Sequence, residues 1–174
     1  MGDLTVTILD SGDLKALNRA FKKAADGKEL RAELRTGLRN VLKPIVPEVR
    51  AAFKASPSMG HGGMSRKSRD RADLRVLLAK ATRVEVKLTG RQAGARIRVD
   101  GRRMPDGLKG IPKAWEAEGG ARWRHPAWGN RNVWVQQRSR PLFYRIVAPK
   151  GERAAKEIER VANRVVAKLE RSVG

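Results

Sequence analysis

The chain of 174 residues has no cysteine, two histidines and an aromatic content of only 5%. Without cysteine there is no disulfide, no thiolate metal site and no cysteine nucleophile. The two histidines, His61 and His125, leave little material for imidazole chemistry. No apolar run approaches the ~18 residues that a membrane span needs. The first residues include Asp3 and Asp10 and lack the basic-led apolar stretch of a signal peptide. These absences predict a soluble protein that keeps away from membranes and stays where it is made. Acidic residues are also scarce: 18 Asp and Glu stand against 39 Lys and Arg, a net charge of +21.

That charge is spread along the chain rather than held in a tail. Charge of this size and spread attracts polyanions and repels copies of itself. Nucleic acid is one class of partner it implies; acidic protein neighbours in an assembly are the other. Hydrophobic residues make up 40%, enough for a modest core. The length fits one domain, 1–174.

Periodicity divides that domain into five parts. LTVTIL (Leu4–Leu9) alternates and is β-branched, so 1–10 reads as a strand or arm. Asp10 or Ser11 is placed to cap a helix carrying Leu14, Leu17 and Phe21. Asp26 and Glu29 have the spacing of a capping box, which predicts a second helix from near Gly27. Its apolar face holds Leu30, Leu34, Leu38, Val41, Leu42, Ile45, Val49 and Phe53. Pro44 and Pro47 inside this pattern predict a kink or break. The helical part ends near residue 55. The stretch 56–73, SPSMGHGGMSRKSRDRAD, is polar, Gly-rich and basic and reads as a long flexible loop.

The β-rich part spans 74–148. Leu74–Ala81 fits either a helix or a strand feeding the next element. VEVKL (Val84–Leu88) and ARIRVD (Ala95–Asp100) alternate about Gly90 and predict an antiparallel hairpin. Residues 101–122 read as irregular, with a helical turn near Ala114–Ala117. Asp100 and Asp106 flank an Arg pair and read as surface turn residues. NVWVQQ (Asn132–Gln137) is a further strand, with Val133 and Val135 on one face and Trp134 and Gln136 on the other. In 149–174, Ile158, Val161, Val165 and Leu169 recur at helical steps, with Glu152 and Lys156 as an i,i+4 pair. The order predicts an α+β fold: a small antiparallel sheet with N-terminal helices and a C-terminal helix.

The most distinctive stretch is WRHPAWGNRNVWVQQ, Trp123–Gln137. All four tryptophans lie between Trp115 and Trp134, and no Asp or Glu occurs between Glu118 and Glu152. Full burial of four tryptophans among Arg, Asn, Gln, Gly and Pro is not expected. One or two belong in the core and the rest at a surface or contact. Pro126 and Gly129-Asn130 supply turn chemistry that fixes the Trp positions.

Catalysis has little support in these residues. His61 sits in a GHGG loop. His125, Asn130 and Asn132 lie among arginines, but no nearby carboxylate completes a metal-binding or nucleophile–base set. No phosphate-binding, serine-hydrolase or zinc-protease motif is present. The expectation is a non-enzyme with no metal and no cofactor. Nucleic-acid binding has more support. Arg66, Lys67, Arg69 and Arg71 in the loop and Arg102 and Arg103 after the hairpin are candidate contacts to DNA or to an acidic partner. Arg122, Trp123 and Arg124 set an aromatic between cations, as single-strand binders do. Trp beside Arg also anchors protein–protein interfaces, and this reading is preferred.

The same residues carry a resemblance. Arg124, His125, Pro126, Trp128, Gly129, Asn130, Arg131, Trp134, Val135 and Gln137 match an RHP-aromatic-GNR-x-x-WV-x-Q signature. The chain therefore resembles the tail-component family of long-tailed bacteriophages, over most of its length from about residue 12. The loop GHGGMSRKSRDRAD departs from the family's usual step into the first strand, and LTVTIL reads as an addition. The resemblance implies a structural virion protein at the head–tail junction, acting as neck, tail-completion or tail-terminator component. It implies assembly in the bacterial cytoplasm into a homo-oligomeric ring, a hexamer rather than a dodecamer. Neighbouring connector and tail proteins are the implied partners, with transient contact to genomic DNA. Arg122, Trp123, Arg124, His125, Pro126, Trp128, Gly129, Asn130, Arg131, Trp134 and Gln137 are then the candidate subunit contacts. The alternative is a basic nucleic-acid-binding protein of a phage or mobile element.

Overall fold

The computed structural model describes residues 4–9, 11–56, 74–90, 93–105, 107–117, 120–127 and 130–173. Helix and sheet are mixed, as an α+β fold requires. The elements run β1 (Leu4–Leu9), α1 (Ser11–Lys23), α2 (Gly27–Leu42), α3 (Ile45–Ala55), α4 (Leu74–Ala81), β2 (Thr82–Lys87), β3 (Gly94–Val99), α5 (Ile111–Trp115), β4 (Arg122–Ala127), β5 (Asn130–Arg138), α6 (Phe143–Val147) and α7 (Gly151–Val173). Strands form two sheets rather than one: a three-stranded sheet ordered β1-β3-β2 and a separate β4-β5 ribbon. Of the long basic loop only Ser56 is described; 57–73, with His61, lie outside the described residues, as do Asp10 and Asp106.

Contacts divide the chain into two compact units, each built from separated segments. One comprises Met1–Thr5, Pro47–Arg83 and Arg98–Ile146; the other comprises Val6–Val46, Val84–Ile97 and Val147–Gly174. The second unit contains α1, α2 and α7. Here α2 packs on both α1 and α7. The stripe Leu30, Leu34, Leu38 and Leu42 is buried, and α7 buries Ala154, Ile158, Val165 and Leu169. Each large side chain so buried contributes roughly 1.5–3 kcal/mol before chain entropy. Close approach of α2 to α7 depends on Gly37: a Cβ there would lie 2.5 Å from Val161 Cγ1. At the rim, Lys168 Nζ donates to both Glu33 oxygens at 2.7 and 2.9 Å. Lys156 pairs with Glu152 at 2.9 Å, one helical turn apart.

Residue 27 starts α2, but the Asp26–Glu29 capping box does not form. The Asp26 side chain makes no cap hydrogen bond, and its backbone carbonyl takes the N–H of Glu29 at 2.9 Å and of Leu30 at 3.1 Å. The tight α1–α2 link explains this. A Cβ on Gly27 would fall 1.7 Å from Phe21 O, so the turn is closed by backbone contact. The proline pair breaks the helix rather than kinking it. α2 ends at Leu42, Lys43 N–H donates to Arg39 O at 2.9 Å, and α3 restarts at Ile45. Pro47 then sits in the first turn of α3, where its missing N–H is tolerated.

The first unit contains α4, α5, the β4-β5 ribbon and nearly all of α3 and α6. Val49, Phe53, Leu78, Val99, Met104, Ile111, Trp115 and Phe143 are buried. Phe53 meets Trp115 edge-on, centroids 6.5 Å apart at 74°. Leu74–Ala81 is helical, and Thr82 closes it, its hydroxyl donating to Leu78 O at 2.9 Å. Thr82 O in turn accepts from Arg50 Nη2 at 2.8 Å and Nε at 3.3 Å. The β2–β3 hairpin has segments in both units. Asp100 N–H donates to Ala81 O at 3.0 Å, just past the strand ends, in the register of an antiparallel pair. A short 3₁₀ turn, Gly101–Arg103, follows β3.

Candidate functional site: an arginine–tryptophan ribbon and its support

Most of the distinctive segment folds as one antiparallel ribbon. Its register pairs Arg122 with Arg138, Trp123 with Gln137, Arg124 with Gln136, His125 with Val135 and Pro126 with Trp134. A bulge follows, where Ala127 pairs with Asn130. Strand β4 was not expected from the sequence, because Pro126 interrupts any strand pattern. In a two-stranded ribbon every strand is an edge, where the missing proline donor does no harm.

The ribbon has two unequal faces. Trp123, Val135 and Gln137 share the partly buried face. Trp123 there meets the buried Trp115, with centroids 6.4 Å apart and planes at 53°. The opposite face holds Arg122, Arg124, Trp134, Gln136 and Arg138, all exposed. Trp134 is 50% exposed and Val133, near it in β5, 44%. The Arg124 guanidinium carbon lies 5.1 Å from the centre of the Trp134 ring, a cation–π contact. Of the described tryptophans one is therefore core, one half-buried and one exposed. Trp128 and Gly129 lie outside the described residues; for His125, Pro126, Asn130 and Arg131 the backbone alone is described.

Arg138 was missed by ending the strand at Gln137, yet it decides the electrostatics of this face. Ser139 N–H donates to Ala121 O at 2.8 Å. One step inward, Arg122 and Arg138 therefore fall at the non-hydrogen-bonded kind of pair, where side chains approach most closely. Two arginines thus occupy directly opposed positions on the ribbon.

Two buried carboxylates support the region. Glu116 is 4% exposed. Its Oε1 accepts from Leu142 N at 2.7 Å and Phe143 N at 2.8 Å, and Oε2 from Tyr144 N at 3.3 Å, capping α6. Arg140 N–H donates to Trp115 O at 2.7 Å, tying the chain after β5 to α5. Asp100 is 2% exposed, a correction to its reading as a surface turn residue. It pairs with Arg83, with Arg98 at 3.3 Å and with Arg102 Nε at 3.2 Å, and it takes the Arg102 N–H at 3.2 Å. Burial opposes ionisation of this carboxyl. Hydrogen bonds from the Arg102 side chain and N–H, and the charges of Arg98 and Arg83, hold it below its ordinary range all the same.

Of the other sequence candidates, Arg102 and Arg103 belong to the 3₁₀ turn after β3 and not to the ribbon strands. Arg102 Nε pairs with Asp100, and both Arg102 and Arg103 are exposed. Arg66, Lys67, Arg69 and Arg71 lie outside the described residues. Among the described residues no cluster of His, Asp or Glu has the arrangement to hold a metal ion. No described helix is long and apolar enough to cross a membrane. Comparison with known proteins gives the chain no relative: no family model, no curated protein and no solved structure matches it.

Proposed function

We propose that the chain is a structural virion protein of a tailed bacteriophage, forming or decorating a ring at the head–tail junction. The reading rests on the resemblance of Arg124–Gln137 to the tail-component signature. One observation supports it above the others: the ribbon in that stretch exposes Trp134 at 50% while its other face leans on Trp115. Exposed tryptophan beside arginine is the composition of an interface anchor. Backing by a buried aromatic holds it in one position, which lowers the ordering cost of association. The tip half of the ribbon, with Trp134 and Val133, is the subunit contact in this reading.

Mass spectrometry of intact particles tests it. The chain should be found there, and Trp134→Ala should block particle completion or ring assembly while Lys23→Ala, on exposed α1 surface, should not. Absence of the chain from purified particles would sink the reading.

A further inference from the structure

The other half of the ribbon's exposed face has a charge problem that the subunit contact does not solve. Arg122 and Arg138 oppose each other across the strands, and Arg124 follows two residues along β4 on the same face. Like charges directly opposite on a ribbon are destabilising. The ribbon itself offers no relief, because no carboxylate lies between Glu118 and Glu152. Among the described residues, the two buried carboxylates of this unit are already engaged: Glu116 with the α6 backbone and Asp100 with three other arginines. An arrangement kept at a cost to the free protein is relieved when an anion arrives from outside.

We infer that the arginine half of this face, Arg122, Arg124 and Arg138, is a docking site for the phosphate backbone of duplex DNA. Two properties favour DNA over an acidic protein segment. Between Trp134 and the base of the ribbon, the described side chains of this face are guanidiniums and the Gln136 amide, with no apolar centre among them. Interfaces with DNA are more polar and far more positive than those with proteins. Arg and Gln are also the donors that DNA-binding surfaces direct at phosphate oxygens. Guanidinium forks grip phosphate and carboxylate alike, so they add affinity without deciding between the two. Duplex is favoured over single strand because Arg124 already stacks on the Trp134 ring, occupying the platform a base would use. The inference goes beyond the virion reading and does not depend on it: it concerns what the purified chain binds, not where the chain is found.

The test uses the full chain and a short mixed-sequence DNA duplex, titrated between about 50 and 200 mM salt. Arg122→Gln with Arg138→Gln should weaken binding about 10-fold or more and reduce the log–log salt slope by about two, one for each lost phosphate contact. Arg153→Gln with Arg164→Gln removes the same charge from exposed positions of α7 and should change affinity by less than about 3-fold, since the ribbon's own phosphate contacts are kept. Trp134→Leu should weaken binding a few-fold with the slope unchanged, because it frees Arg124 without removing charge. The ribbon variant should melt no lower than the parent, which separates lost binding from lost folding.

Equal losses from both arginine pairs would mean diffuse attraction and would overturn the site. So would tighter capture of poly-glutamate than of duplex, or single-strand binding that collapses with Trp134. Binding that fails in a chain still found in particles would refute the DNA site and leave the virion reading standing.

Discussion

Glu116 and Phe143 are joined by a hydrogen bond of 2.8 Å from the Phe143 N–H to the Glu116 carboxylate. With Leu142 and Tyr144, three free N–H groups at the start of a five-residue helix converge on one buried side chain. A helix so short does not hold itself. Glu116 supplies both the acceptors and the negative charge that its N-terminus favours. Phe143, fully buried, is thereby fixed.

Removal of that carboxylate should be costly. Glu116→Ala is expected to destabilise the protein by about 2–4 kcal/mol, since buried N–H groups lose charged acceptors. Glu116→Gln, which keeps one acceptor oxygen, should cost less. Urea denaturation measures both, and a Glu116→Ala midpoint equal to the parent's would contradict the assignment.

Asp100 makes stability depend on acid. Its pKa is lowered on folding, so its contribution is complete above the unfolded value, near 3.8, and is lost as pH falls through the folded one. Asp100→Asn should cost about 3–5 kcal/mol near neutrality, because it strands guanidiniums around a buried neutral group. The gap between parent and variant should stay level from about pH 7 to pH 5 and narrow below pH 3.8. Thermal melts across that range read it directly, and a gap that widens on acidification would reverse the sign.

Gly37 sets the spacing of α2 and α7. Alanine there gains about 1 kcal/mol of helix propensity, but its Cβ would meet the stiff Val161 side chain at 2.5 Å. Overpacking costs of about 1–3 kcal/mol outweigh that gain. Gly37→Ala should therefore lower stability, and adding Val161→Ala should recover part of the loss. A double-mutant cycle with no coupling would show that the helices simply move apart.

The opposed arginines predict a gain instead. Arg138→Glu turns a repulsive cross-strand pair into an attractive one and should stabilise by about 0.5–1 kcal/mol. The gain should shrink at high salt, where exposed charges are screened. Melting curves at low and high ionic strength distinguish this from a change in strand propensity, which salt does not affect.

How far the sequence reaches is clear element by element. α2 and α7 are legible because apolar stripes at helical spacing stay buried, and the Pro44–Pro47 break follows from the proline ring itself. The β2–β3 hairpin is legible from alternation about Gly90. Strand β4 is not, since RWRHPA has no alternation and Pro126 argues against a strand. Its existence depends on pairing with β5, a non-local fact. The same holds at the site. Trp134 and its face are readable from parity in β5. The opposition of Arg122 and Arg138 requires the register, which no local pattern encodes. Asp100 and Glu116 were misjudged or passed over because the groups that bury them come from elsewhere in the chain. Their one sequence signal is rarity: they are among the few acids in a basic stretch of the chain.

The pairing of α2 with α7 also governs when the chain can fold. Lys168 and Glu33, which meet across these helices, are 135 residues apart. At the ribosome's pace of about 5–20 residues per second, α7 emerges on the order of ten seconds after α2. Until then Leu30, Leu34, Leu38 and Leu42 have no partner helix on the α7 side and form an oily stripe on a nascent chain rich in arginine. Such a stripe is what holdase chaperones capture and what intracellular proteases cut. Yield in the host should therefore follow chaperone supply during translation more closely than it follows the stability of the finished fold.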